Sequence, residues 1–218
     1  MINYPDNIRV YDNYFPENIA QSLYSNVSGI PQQWFSLRKT SHTQPGALPK
    51  FSKTWWSIHG DKSTPSQVDP NGALTYQYLA TDTHQSGCEC TYCDLEKLFY
   101  KQPPPEVSDM VMQQSSLTVY RPGDYLSRHQ DEGSDREWAF TYTLSTGWQP
   151  EYGGILNIQG SNKVWYAFPP KFNRLILMDV SDKSQSSHFV SQVIPNCPIN
   201  RVTYSGWWHY PMINLEAA

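Results

Sequence analysis

From Ser115 onward the chain is written in short alternating segments, and this rhythm restricts the fold more than any other feature. The segments are SSLTVYR, DYLSRH, WAFTYTLS, GGILNI, VWYAF, RLILMDV, HFVSQVI and RVTYSGWWHY. Turn residues separate them: Pro122-Gly123-Asp124, Glu132-Gly133-Ser134, Gly153-Gly154, Gly160-Ser161-Asn162 and Pro169-Pro170. Side chains on a strand point alternately to opposite faces, so alternation marks half-buried strands, and a helix would repeat its apolar residues every three to four positions. About eight such strands with regular punctuation predict a sandwich or barrel.

The N-terminal half reads differently. IRVYDNYF alternates as a strand, and Pro16-Glu17-Asn18 opens a helix running to about Val27. Residues 31–53 read as irregular structure, and FSKTWWSIHG reads as a strand. From Asp61 to Pro105 the chain is polar, with short helices expected around Ala73–Leu79 and Asp94–Tyr100. The run Pro103-Pro104-Pro105 closes that stretch, because proline removes donors and forces extended geometry. We therefore expect an N-terminal α+β support region over 1–110, bearing a Cys-containing loop, and a β-barrel core over 111–218.

Composition narrows the function. Aromatic residues make up 14% of the chain, too many for a disordered protein. A net charge of -4 predicts no basic groove for nucleic acid. No apolar run approaches the roughly 20 residues of a membrane span. MINYPDNIRV lacks the basic and apolar regions of a signal peptide, and the cysteines do not suggest a disulfide framework, so a cytoplasmic location is expected.

The chemistry concentrates at His129-Gln130-Asp131. His129 and Asp131 lie two apart, on one face of an extended segment, and His188 begins a later strand. Two imidazoles and one carboxylate are the donor set of non-haem Fe(II) oxygenases, which leaves coordination positions open. The plainer alternative for His129 is a surface histidine near a turn.

From Tyr120 to Tyr210 the sequence resembles the 2-oxoglutarate/Fe(II)-dependent oxygenases, in their prolyl-4-hydroxylase-like branch. The resemblance rests on YRPGDYLSRHQD, a strand ending TYTLS, GGIL, FPPKFNRLILMD, SHFVSQV and NRVTYSGWW. It implies a mainly β protein, a double-stranded β-helix (jelly-roll) barrel on the N-terminal support. It implies that His129, Asp131 and His188 are metal ligands, and that Arg201 holds the distal carboxylate of 2-oxoglutarate. A guanidinium suits that role because its fork binds a carboxylate bidentately. Tyr120, Thr203 and Thr143 are expected around the same cosubstrate, and Tyr125, Arg136 and Trp207 near the substrate. Trp207 stands where nucleic-acid demethylases of the superfamily place an arginine, which argues against a nucleic-acid substrate. Two departures stand out. Phe189 follows His188 where relatives often have Glu, and IPNCPIN makes a longer loop before Arg201.

The implied reaction uses Fe(II), 2-oxoglutarate and O2, with ascorbate as a reductant, to hydroxylate a C–H bond while the cosubstrate is decarboxylated to succinate. The expected substrate is a prolyl residue in a peptide or protein. A free amino acid or small metabolite is the first alternative, and a non-catalytic binding module the second. Neither nucleic acid nor membrane is an expected partner, and the oligomeric state is left open. His84, Cys88, Cys90 and Cys93 form H-x3-C-x-C-x2-C, which can hold a structural Zn²⁺ or remain reduced thiols in a loop. The resemblance also implies that the loop over Asp61–Pro105 can close over a substrate, because hydroxylases of this branch carry a covering segment at that place in the chain order.

Overall fold

The computed structural model describes residues 3–28, 35–39, 76–81, 91–131, 136–184 and 186–211. Among these residues eleven strands form one curled antiparallel sheet. The strands are β1 (Ile8–Asp12), β2 (Phe35–Lys39), β3 (Tyr76–Thr81), β4 (Val111–Tyr120), β5 (Tyr125–His129) and β6 (Trp138–Thr143). They continue with β7 (Leu156–Gln159), β8 (Trp165–Phe168), β9 (Arg174–Asp179), β10 (His188–Val190) and β11 (Arg201–His209). Their order across the sheet is β1-β9-β6-β11-β4-β3-β5-β10-β7-β8, with β2 beside β3. This is the half-barrel of a double-stranded β-helix, the jelly-roll that the resemblance implies, and the alternating segments are its strands.

Alternation sorts the side chains into two cores. Phe140 and Tyr142 of β6, Leu175 and Leu177 of β9, and Tyr204 and Trp208 of β11 face one side. Ala139, Ile176 and Met178, their alternating neighbours, face the other, inside the curl. Helix α1 (Glu17–Ser28) and helix α2 (Thr91–Lys101) cover the first face. On α1, Ala20, Leu23 and Val27 are buried at helical spacing. On α2, Cys93, Leu95 and Phe99 are buried, and each of the larger two contributes about 1.5–3 kcal/mol by leaving water. Proline at 103–105 stops α2 soon after its last turn. The N-terminal segment is tied down by Asn173, a buried residue at φ 58, whose amide donates to the Phe15 carbonyl and accepts from the Phe15 N–H and the Tyr142 hydroxyl. No helix among the described residues is long and apolar enough to cross a membrane.

Three expectations need correction or restriction. The helix expected around Ala73–Leu79 is strand β3 from Tyr76 onward. Tyr76 and Tyr78 suit a pleated surface, and β3 pairs with β2, β4 and β5, so sheet pairing outweighs local helical preference. The irregular stretch 31–53 contains strand β2. The expected strand over 51–60 lies outside the described residues, as do His84, Cys88 and Cys90. Cys93 is buried in the core under α2.

Candidate active site

The site forms where β5 and β10 pair. His188 lies opposite His129 in the register, so both imidazoles leave the sheet on one face, with ring centroids 4.1 Å apart. Each ring is aimed by the same device. Nδ1 of His129 donates to the Ser127 carbonyl at 2.9 Å, and Nδ1 of His188 donates to the Ser186 carbonyl at 3.2 Å. Both Nε2 atoms are thereby turned inward, an outer hydrogen bond fixing which nitrogen a metal can take. Ser186 is itself held by the Asn7 amide at 2.7 Å, so the N-terminus reaches the site through one residue.

Asp131 completes the cluster just past the end of β5. Its Oδ1 lies 3.4 Å from His129 Nε2 and its Oδ2 lies 3.7 Å from His188 Nε2. One donor atom from each of the three residues falls within 4.8 Å of the others. The turn before β5 is firmly built. Buried Asp124 binds the backbone N–H and guanidinium of Arg121 and accepts from the Gln77 amide of β3, and Gly123 closes the turn at φ 89.

The electrostatics suit a cation. Burial raises the Asp131 carboxyl, but His188, His129 and the Trp207 N–H outweigh it and hold the group below its usual range as a carboxylate. His188 is depressed to about 4, first by burial and then by His129, against the opposing pull of Asp131 and the Ser186 carbonyl. At neutral pH it is the uncharged imidazole that ligates metals.

Arg201 opens β11 deep in the same curl. It is buried, and its guanidinium stands 5.0 Å over the Tyr120 ring, its register partner on β4. Nη1 reaches Thr203 Oγ1 at 3.4 Å, but buried Nε has no hydrogen-bond partner among the described residues. A buried, unpaired guanidinium nitrogen is costly, so this pocket is shaped for an anion. Burial lowers the Arg201 pKa to about 10, opposed by Tyr120, and the group keeps its charge. Thr203 and Thr143 are buried opposite each other on β11 and β6, and Thr203 also meets the Thr118 hydroxyl at 2.6 Å. The Gly153-Gly154 pair is required here. Both have positive φ, and a Cβ at Gly154 would sit 3.1 Å from Arg201 Cδ.

The other expected residues are placed as follows. Trp207 donates from Nε1 to Asp131 Oδ2 at 2.7 Å. Arg136 stacks 4.0 Å above the Trp207 ring and donates to Gln114 Oε1 at 2.7 Å. Tyr125 is buried at the start of β5. Phe189, where relatives often have Glu, is buried edge-on against Trp165 at 5.3 Å. Tyr78 was missed in the sequence. It stacks on Tyr120 at 5.2 Å, and burial raises its hydroxyl pKa. The alternation Tyr76, Tyr78, Ala80 was the available signal.

Residues 115–209, from within β4 to the end of β11, match the family described as the 2OG-Fe(II) oxygenase superfamily. The match covers somewhat less than half of the chain. 2OG-Fe(II) oxygenases imply Fe(II) and 2-oxoglutarate with O2, and the His129–Asp131–His188 cluster fits iron. The prolyl 3-hydroxylase sudestada1 of Drosophila melanogaster is 36% identical over 107 residues, covering 44% of this chain and 19% of that protein. The chain thus spans about a fifth of the length of that relative. A Pseudomonas putida prolyl-4-hydroxylase superposes with a TM-score of 0.59 at 15% identity, covering 94% of this chain and 93% of its own. A 2OG-Fe(II) oxygenase family oxidoreductase from Burkholderia pseudomallei gives 0.55 at 9% identity, covering 93% and 85%. The viral collagen prolyl hydroxylase vCPH of Paramecium Bursaria Chlorella virus-1 gives 0.51 at 12%, covering 94% and 97%. These three share the oxygenase jelly-roll fold with the chain.

Proposed function

We propose that the protein is an Fe(II)- and 2-oxoglutarate-dependent dioxygenase that hydroxylates a prolyl residue in a peptide or protein. One observation carries the reading: the His129–Asp131–His188 cluster and the buried, incompletely paired Arg201 guanidinium occupy one curled sheet. The first is a metal donor set with nitrogen and carboxylate oxygen. The second is the partner that a dicarboxylate cosubstrate needs at its far end. The prolyl substrate is supported by the likeness to sudestada1.

His129, Asp131 and His188 would hold Fe(II), and Arg201 with Thr203 would hold 2-oxoglutarate. Bound Fe(II) with 2-oxoglutarate and O2 supplies the oxidising power for an unactivated C–H bond, with succinate as the spent cosubstrate. The protein's part is position and exclusion. Arg201 neutralises one carboxylate without water, Tyr120 and Tyr78 form a stacked wall, and apolar Leu156, Ile158 and Val190 line the core behind.

The test is to incubate the protein with Fe(II), 2-oxoglutarate, O2 and a panel of proline-containing peptides. We expect one peptide to gain a single oxygen on proline, and His129→Ala to abolish the gain. Oxygen added only to a free amino acid, or to another residue type, overturns the prolyl assignment.

A further inference from the structure

A chain of three contacts runs from β4 to the metal-facing carboxylate. Its outermost member is Gln114, a non-glycine residue at φ 53 in the left-handed region. The register shows why. Ser205 pairs with Ser116 and Trp207 pairs with Gln113, so Gln114 and Ser115 of β4 stand opposite Gly206 alone. This is a β-bulge. Gly206 makes it feasible, because a Cβ there would lie 2.8 Å from Ser115 Cα.

The bulge offers Gln114 Oε1 to Arg136 Nη2 at 2.7 Å. Arg136 lies flat enough over Trp207 to place its guanidinium carbon 4.0 Å from the ring centroid. Trp207, on the same inward face of β11 as Arg201 and Thr203, spends its indole N–H on Asp131 Oδ2 at 2.7 Å. That bond engages Oδ2, which also lies 3.7 Å from His188 Nε2, and leaves Oδ1 without the indole, 3.4 Å from His129 Nε2. Backbone strain persists where the surroundings over-determine it, and such positions cluster at functional sites.

We propose that Trp207 is a positioning residue that holds Asp131 by one oxygen so that the other is presented to the metal, with Arg136 and the Gln114 bulge fixing the indole. The proposal rests on His129, Asp131 and His188 being the metal ligands. The cation over the ring strengthens the N–H as a donor. Arg136 and Trp207 then serve the carboxylate.

The experiment uses Mn(II) alone, titrated into the full chain and followed by electron paramagnetic resonance, with Co(II) absorption reporting ligand geometry. Trp207→Phe keeps the ring and the Arg136 stack but removes the N–H. We expect it to weaken Mn(II) binding roughly 10- to 100-fold, the usual effect of losing an outer-shell partner, and to alter the Co(II) spectrum. Arg136→Leu, which leaves the indole in place, should weaken binding in the same direction by less, and it carries the test if Trp207→Phe does not fold. Wild-type affinity and an unchanged Co(II) spectrum in the folded variants overturn the role of Trp207. His129→Ala separates the two readings: if it binds Mn(II) like wild type, the ligand assignment fails and takes this proposal with it.

Discussion

At Arg201, burial removes the water that a guanidinium would otherwise keep. Thr203 offers one oxygen at 3.4 Å and the Tyr120 face offers its π-electrons, but Nε is left without a partner among the described residues. A carboxylate replaces the missing partner with charge-assisted bonds worth about 1.5–3 kcal/mol, or roughly ten- to a hundredfold in affinity. Arg201→Gln should therefore weaken 2-oxoglutarate binding to the Mn(II)-loaded protein by about that factor, measured by calorimetry, while Mn(II) binding itself changes little. Equal 2-oxoglutarate affinity in the variant would remove Arg201 from the cosubstrate site. Asp131 is the contrasting case, because its partners are already in place: Trp207 Nε1 and His188 Nε2 beside Oδ2, and His129 Nε2 beside Oδ1.

Among elements, β1 and β9 show how the N-terminus is joined to the barrel. Their register runs from Ile8 opposite Met178 to Asp12 opposite Arg174. Asp12 closes the pair, binding Arg174 at 2.6 Å and Lys171 at 2.9 Å. Bonds from Arg174, then from Lys171, overcome partial burial and hold the Asp12 carboxyl down at about 2. A carboxyl depressed in the folded state stabilises fully above its ordinary value of 3.8 and loses that contribution as pH falls through about 2. Asp12→Asn should cost about 0.5–1 kcal/mol at neutral pH, a small value because the carboxylate is partly exposed, and chemical denaturation should show the difference vanishing near pH 2. WAFTYT and RLILMD are buried on both faces, Phe140, Tyr142, Leu175 and Leu177 in one core and Ala139, Ile176 and Met178 in the other, so these strands were legible as short runs rich in β-formers between turn residues. β3 was misread because its stabilising partners, β2, β4 and β5, are remote in sequence and no local pattern announces them. His129 and Asp131 stood out by their H-x-D spacing, but their reading as metal ligands came from the resemblance of the segments around them. The Trp207–Asp131 bond was not legible, since it spans 76 residues and depends on the curl of the sheet.

For the whole molecule, the sheet's two faces divide the labour. One face carries the densest aromatic packing, where Phe15, Phe99, Phe140, Tyr142, Tyr204 and Trp208 are fully buried beneath α1 and α2. The other carries a thinner apolar lining and the polar cluster of Asp131, the two histidines and Arg201. Such a division lets the rigid face supply stability while the inner face tolerates a costly unpaired guanidinium. The proposed dioxygenase centre rests on these inner-face residues. It is tested most directly by supplying isotopically labelled O2 with Fe(II), 2-oxoglutarate and the peptide that is turned over, and weighing both products. One labelled oxygen is expected in succinate and one in the hydroxylated peptide, with neither formed by His129→Ala. Succinate without label, or label in the products that survives loss of His129, would contradict it.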